Sequence, residues 1–184
     1  MMNWLWILVG VVVLVILIII YYYNKFIRLG NTISNSLSQI EVQLQKRADL
    51  VPNLISTVKG YAKHEKGIMT EVTNARKALL SAQGIQAKSK AGAELQNALK
   101  SIFAIAENYP QLRANENFLQ LQQELSAIED KVAYSRQYYN DAILSYNNAV
   151  KLFPGSFFAS IFSKTEKDFL QITAEARAVP KVEF

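Results

Sequence analysis

FLQLQQELSAIEDKVAYSRQYYNDAILSYNNAVKLF (Phe118–Phe153) decides the fold. Phe118, Leu121, Leu125, Ile128, Val132, Ser135, Tyr139, Ala142, Tyr146, Ala149 and Phe153 are spaced alternately by three and four without a slip. That spacing puts one stripe along one side of a helix. Asn115 is suited to cap its start, and Pro154-Gly155 to end it. At 1.5 Å per residue such a helix runs over about 50 Å, so its packing partners must be long as well. Short connections between long helices favour antiparallel neighbours. The fold class expected is therefore all-α, an antiparallel bundle of long helices of the four-helix type.

The chain before this stretch supplies the partners. Phe26, Leu29, Ile33, Leu37, Ile40, Leu44 and Ala48 form one seam. Val51, Leu54, Val58, Tyr61, Glu65, Ile68, Val72, Ala75 and Leu79 form the next. Between them Asp49 is a good N-cap, which would place Pro52 in a first helical turn where its missing N–H is harmless. A tight reversal near Ala48–Leu50 is expected; the competing reading is one long helix kinked at Pro52. Residues 81–92, small and polar with Gly84 and Gly92, read as a loop. Leu95, Leu99, Ile102, Ala106 and Tyr109 mark a third helix stopping at Pro110, since a residue before proline avoids the helical region.

Upstream of these seams lies WLWILVGVVVLVILIIIYYY (Trp4–Tyr23), 20 residues without a charge. As a helix it spans roughly 30 Å, the hydrocarbon thickness of a bilayer. Trp4 and Trp6 mark one end and Tyr21, Tyr22 and Tyr23 the other, as rings at headgroup depth do. A cleaved signal peptide would have a basic start, a shorter apolar run and a small-residue cleavage site, none of which is present. A retained transmembrane anchor is expected, making the chain single-pass. Lys25 and Arg28 follow the run, and no Lys or Arg precedes it. The positive-inside rule then puts the short N-terminus outside and residues 24–184 in the cytoplasm. The expected division is an anchor at 1–23, a helical domain at 24–155 and an aromatic-rich tail at 156–184. In that tail Phe157, Phe158, Ile161 and Phe162, then Phe169, Leu170 and Ile172, are candidates for packing on the bundle or for contact with lipid or a partner.

Composition excludes several chemistries. There is no Cys and a single His, His64, so thiol catalysis is absent and a His-based zinc site is not expected. No Gly-rich phosphate loop with Walker spacing exists. The net charge is +5, but the basic residues are scattered and no run reaches four. No nucleic-acid partner, small-molecule substrate, metal or cofactor is expected.

Two polar zones remain. Glu65 falls in a core slot of the second seam and needs a partner, for which Tyr61, Arg76 and Arg136 are candidates. Ser135, Tyr139 and Tyr146, with Asn140 and Asn147 beside them, form the other. Polar groups on a seam can fix helix register, and a ligand or partner site is the alternative.

Three blocks together resemble a known family. QIEVQLQKRADLVPNLISTVKGYAKHEKGIMTEVTNAR (Gln39–Arg76), AENYPQLRANENFLQLQQELSAIEDKVAYSRQYYNDAI (Ala106–Ile143) and YNNAVKLFP (Tyr146–Pro154) are similar to the signature of the LemA family of bacterial single-pass membrane proteins. The chain departs from the family pattern at Lys46-Arg47, often two Arg there, and at Ala48, often polar or His. The resemblance implies a helical bundle behind one transmembrane segment, without a defined activity. Some members are linked to membrane-organelle formation, and others occur beside membrane metalloproteases of the heat-shock type.

The function expected is that of a non-enzymatic, membrane-tethered helical scaffold. It would act by self-association as a homo-oligomer, or by holding another membrane protein such as a heat-shock metalloprotease. The alternatives are an accessory regulator or sensor of a membrane metalloprotease or envelope-stress system, and a membrane-remodelling protein that uses basic surface and aromatic tail against lipid.

Overall fold

The computed structural model describes residues 2–170, with side chains from Trp4 onward. The chain is all-α: α1 (Met2–Tyr61), α2 (Lys66–Ser81), α3 (Ile85–Ala106), the single turn α4 (Pro110–Arg113), α5 (Glu116–Lys151) and α6 (Gly155–Ile161). No strand occurs among the described residues. Ile172 of the tail lies outside them. The helices gather into two compact units. Residues 2–36 with 137–169 form what we call the anchor unit, and residues 37–136 the bundle unit.

In the bundle unit, the last part of α1, α2, α3 and the first part of α5 alternate in direction. Arg76 of α2 reaches back to Ala48 of α1, across the turn at residues 62–65. Phe103 near the end of α3 meets Phe118 near the start of α5, ring centres 5.9 Å apart. The core is built from the stripes the periodicity marks: Ile40, Leu44, Val51, Leu54, Val72, Leu95, Ile102, Leu125 and Val132 are all buried. Burying each such side chain stabilises by about 1.5–3 kcal/mol. The long α5 stripe is buried at nearly every position, and only Phe153 at its end faces out. Asn115 caps α5 as expected, its Oδ1 accepting the Phe118 N–H at 3.0 Å.

The reversal expected at Ala48–Leu50 does not occur. α1 runs on through Pro52 to Tyr61, and the chain turns at residues 62–65. Pro52 has no N–H to give the Ala48 carbonyl four residues back, an interior defect costing about 3 kcal/mol. Arg76 supplies the missing donor: its Nε donates to the Ala48 carbonyl oxygen at 2.7 Å. A side chain of α2 thus completes a backbone turn of α1. Replacing Arg76 with Met should cost about 1–3 kcal/mol, because it orphans that carbonyl. In a Pro52→Ala background the restored backbone N–H should erase most of the cost. Urea denaturation of the four proteins in the cycle measures this coupling. An equal cost in both backgrounds would show that Arg76 does not stand in for the proline's donor.

Residues 85–92, expected as loop, are the first two turns of α3. Only residues 82–84 connect it to α2. Gly84 takes a φ of 78°, the left-handed conformation that glycine adopts without strain. The buried residues of this stretch are Ser89, Ala91 and Gly92, small side chains that let helices come close. A Cβ on Gly92 would lie 2.8 Å from Leu44 Cδ2. Downstream, Pro110 starts α4 instead of merely following the end of α3.

Candidate functional site

Three polar or aromatic constellations come together, two in the bundle unit and one in the anchor unit. The first is a charged centre inside the bundle. Arg47 on α1 is 2 % exposed and forms an ion pair with Glu129 of α5. Its Nη1 also donates to the Gly92 carbonyl at 3.3 Å. The bare Cα of Gly92 permits the close helix approach that brings this carbonyl within reach. Arg136 of α5 donates through Nη2 to the Ser89 carbonyl at 3.3 Å, while its Nε is buried without a partner. Burial lowers the pKa of Arg47, opposed by the charge of Glu129 and the hydrogen bond to it. Burial also lowers that of Arg136, opposed by Glu129 and reinforced by Arg47. Both guanidiniums still stay charged at ordinary pH. The centre borders a recess of about 220 Å3 lined by Arg47, Gln96, Lys100, Gln122 and Glu129 among others.

Periodicity reasoning passed over Arg47 and Glu129. The signal was there: Arg47 follows Leu44 by three and precedes Val51 by four, so it holds the alternation as well as its neighbour Ala48 does. A guanidinium in a core slot demands a carboxylate opposite.

The second constellation closes the end of the bundle. Glu65 is not a core residue of a continuing helix; it precedes α2 at the N-cap position, half-buried. Its partner is neither Arg76 nor Arg136. Tyr109 donates its hydroxyl to Glu65 Oε1 at 3.2 Å. Desolvation, then the hydrogen bond to Glu65 and its negative charge, raises the Tyr109 pKa and keeps the phenol a donor. Asn115 Nδ2 donates to the Tyr61 hydroxyl at 3.1 Å. Tyr61 and Glu65 thus bracket the α1–α2 turn and clasp the two residues that flank α4. His64 is exposed beside them.

In the anchor unit, the apolar run of α1 is exposed at every residue from Trp4 to Tyr21. Trp4 and Trp6 lie at its open end. A helix this long and apolar with no protein around it marks a membrane-associated protein. At its other end the tyrosines meet the α5–α6 corner. Phe158 stacks on Tyr22, ring centres 4.6 Å apart, and Phe162 packs edge-on to Tyr23 at 5.4 Å. Phe26 lies buried between Tyr146 and Phe162, 6.4 Å from each. The α6 aromatics therefore divide. Phe158 and Phe162 turn inward, while Phe157 and Ile161, one helical turn apart, turn outward.

Tyr139 and Tyr146 are buried on α5, with Asn140 half-buried. Burial raises the pKa of both tyrosines, with Asp168 adding to the shift of Tyr139. The adjacent Asn147 does more. Its Nδ2 donates to the Lys167 carbonyl and its Oδ1 accepts the Lys167 N–H, both at 2.9 Å. Lys151 adds an ion pair to Glu166 at 2.7 Å. These contacts hold the non-helical segment after α6 along α5. Among the described residues no three His, Asp or Glu side chains gather as metal ligands.

Comparison with known proteins gives the chain its kin. It is 25 % identical to magnetosome protein MamQ of Magnetospirillum gryphiswaldense, across 76 % of this chain and 61 % of that one. It is 24 % identical to magnetosome protein MamQ 2 of Paramagnetospirillum magneticum, across 81 % and 64 %. It is 26 % identical to protein LemA of Metamycoplasma hominis, across 71 % and 60 %. The chain thus spans about three-fifths of the length of the curated relatives it matches. Residues 36–184 match the model of the LemA family, which takes in the charged centre, the clasp and the α5–α6 corner alike, and the chain belongs to that family.

Proposed function

We propose that this protein is a membrane-tethered, non-enzymatic helical scaffold. It works by self-association or by holding a second membrane protein. One observation carries the reading: α1 is a single helix that begins as an uncovered apolar run and ends as a wall of a bundle whose seams are filled by its own side chains. On this reading the bundle is tethered by the apolar run and acts through its outer faces. Glu129, the carboxylate of the charged centre, is taken up by its ion pair with Arg47. The centre's two guanidiniums and one carboxylate suit the joining of helices.

The test is chemical crosslinking of the full-length protein in its own membrane, followed by purification in mild detergent. Crosslinks between copies, or one membrane protein other than a metalloprotease recovered in stoichiometric amount, are the expected result. A monomer with no partner would sink the scaffold. A small, stoichiometric complex with a metalloprotease would favour the regulator reading instead.

We place residues 24–184 on the cytoplasmic side of a bacterial inner membrane, because Lys25 and Arg28 follow the apolar run. Protease added outside intact cells should therefore leave those residues uncut. Cleavage anywhere in them would reverse the orientation.

A further inference from the structure

We propose that the α5–α6 corner is a second membrane contact: a foot formed by Leu152, Phe153, Phe157 and Ile161 that enters the boundary between headgroups and acyl chains, beside the apolar span. Four observations, all within the anchor unit, converge on it. First, these residues are the most exposed apolar side chains of the unit outside the span, Phe153 at 88 % and Phe157 at 61 %. Four large apolar groups left to water on one short corner are costly unless something covers them.

Second, the corner is fixed at the depth where the span ends. Tyr22 lies in the last turn of the run, and Phe158 stacks flat on its ring. Phe157 packs edge-on to Phe158 at 5.3 Å, so it stands within two ring contacts of the span's own last turn.

Third, the corner is rigidly built. A Cβ at Gly155 would lie 2.1 Å from the Ala149 carbonyl oxygen, so α6 can fold this closely onto the end of α5 only with glycine there. Fourth, the surrounding charges suit the headgroup layer. Lys25 and Arg28 line a recess of about 320 Å3 with Tyr21 and Asn24, at the same end of the span. Lys25 also lies over the Tyr22 ring, 5.6 Å from its centre. Aromatic rings and basic side chains together are what the interface selects. The inward face of α6 binds protein and its outward face is bare, as for a helix lying in the interface plane.

This inference rests on the anchoring part of the function above and is independent of scaffold partners. The chain has no cysteine, so single cysteines can each carry an environment-sensitive fluorophore. Full-length Phe153→Cys and Phe157→Cys would be labelled in phosphatidylcholine–phosphatidylglycerol vesicles. Leu144→Cys, two turns back along α5, and Ile16→Cys, inside the span, serve as references. Probes at 153 and 157 should show blue-shifted emission. Spin-labelled lipid with a shallow nitroxide should quench them several-fold more than the probe at 144. Aqueous iodide should quench them several-fold less.

Quenching at 153 and 157 that matches 144 would overturn the foot. So would shielding from lipid and iodide alike, the pattern of a protein–protein contact. A probe at 16 open to iodide would overturn the anchoring itself, and the foot with it. Lipid quenching at 16 alone would leave the anchor standing and remove only the foot.

Discussion

Val132→Asp should abolish cooperative folding of the bundle unit. Val132 is fully buried on the α5 stripe. A carboxylate there has no partner and must either stay charged in a dry core or take up a proton. Added to the lost apolar burial, the change costs more than about 4 kcal/mol, against a typical total stability of about 5–15 kcal/mol. Far-UV circular dichroism of the full chain in detergent, followed through urea, reads the loss directly. Leu119→Asp is the matched control. Leu119 is on the same helix but 41 % exposed, and its change should stay within about 0.5 kcal/mol of the parent. Unchanged melting of the Val132 variant would mean that the α5 stripe does not face the core.

Glu129→Ala should be the second largest loss, about 3 kcal/mol. Removing one partner of a buried ion pair costs about 3–5 kcal/mol, because the other charge is left unpaired. The low end applies here, since the Glu129 side chain keeps 30 % of its surface in water while Arg47 has almost none. Arg136 worsens the outcome by leaving two guanidiniums near each other without an anion. Replacing both partners, Arg47→Met with Glu129→Leu, should recover most of the loss, since well-packed apolar groups can substitute for a buried pair. Urea midpoints of the three variants decide it. If the double variant is as unstable as Glu129→Ala alone, Glu129 acts through some contact other than Arg47.

The contrast between these two residues explains which parts of the fold could be read from the residues. Val132 belongs to a stripe that never slips over 36 residues, so helix, face and burial were all legible. Arg47 sits beside Ala48, and both satisfy the spacing; the apolar neighbour masked the charged one. The first turns of α3 were missed for a related reason. Their buried positions are Ser89, Ala91 and Gly92, and a search for large apolar groups sees no period there. Small residues on a helix face carry packing information only once the opposite face, here Leu44, is known.

Pro52 shows local preference losing to tertiary contact. Asp49 and Pro52 together are a sound helix-start signal, yet a donor from Arg76, far along the chain, makes the uninterrupted helix viable. The same distance hid the Glu65–Tyr109 pair and the turn it secures. At the α5–α6 corner, the aromatic residues were identifiable as a patch. Which of them faced inward depended on Tyr22 and Tyr23, more than a hundred residues earlier in the chain.

The Asn147–Lys167 pairing gives the anchor unit a latch. The segment after α6 has no helical ladder of its own, and Ser163 leaves α6 at a φ of 50°. One amide with two hydrogen bonds and one exposed ion pair fasten it to α5. Lys167 also covers the Tyr146 ring, its Nζ 5.6 Å from the centre. Residues 165–168 meet α5 through single side chains, Tyr146, Asn147 and Lys151, and not through a helical ladder, so this stretch can open as a local event while the helices stay packed. Opening would bare the Tyr146 flank of α5 at a small fraction of the cost of unfolding.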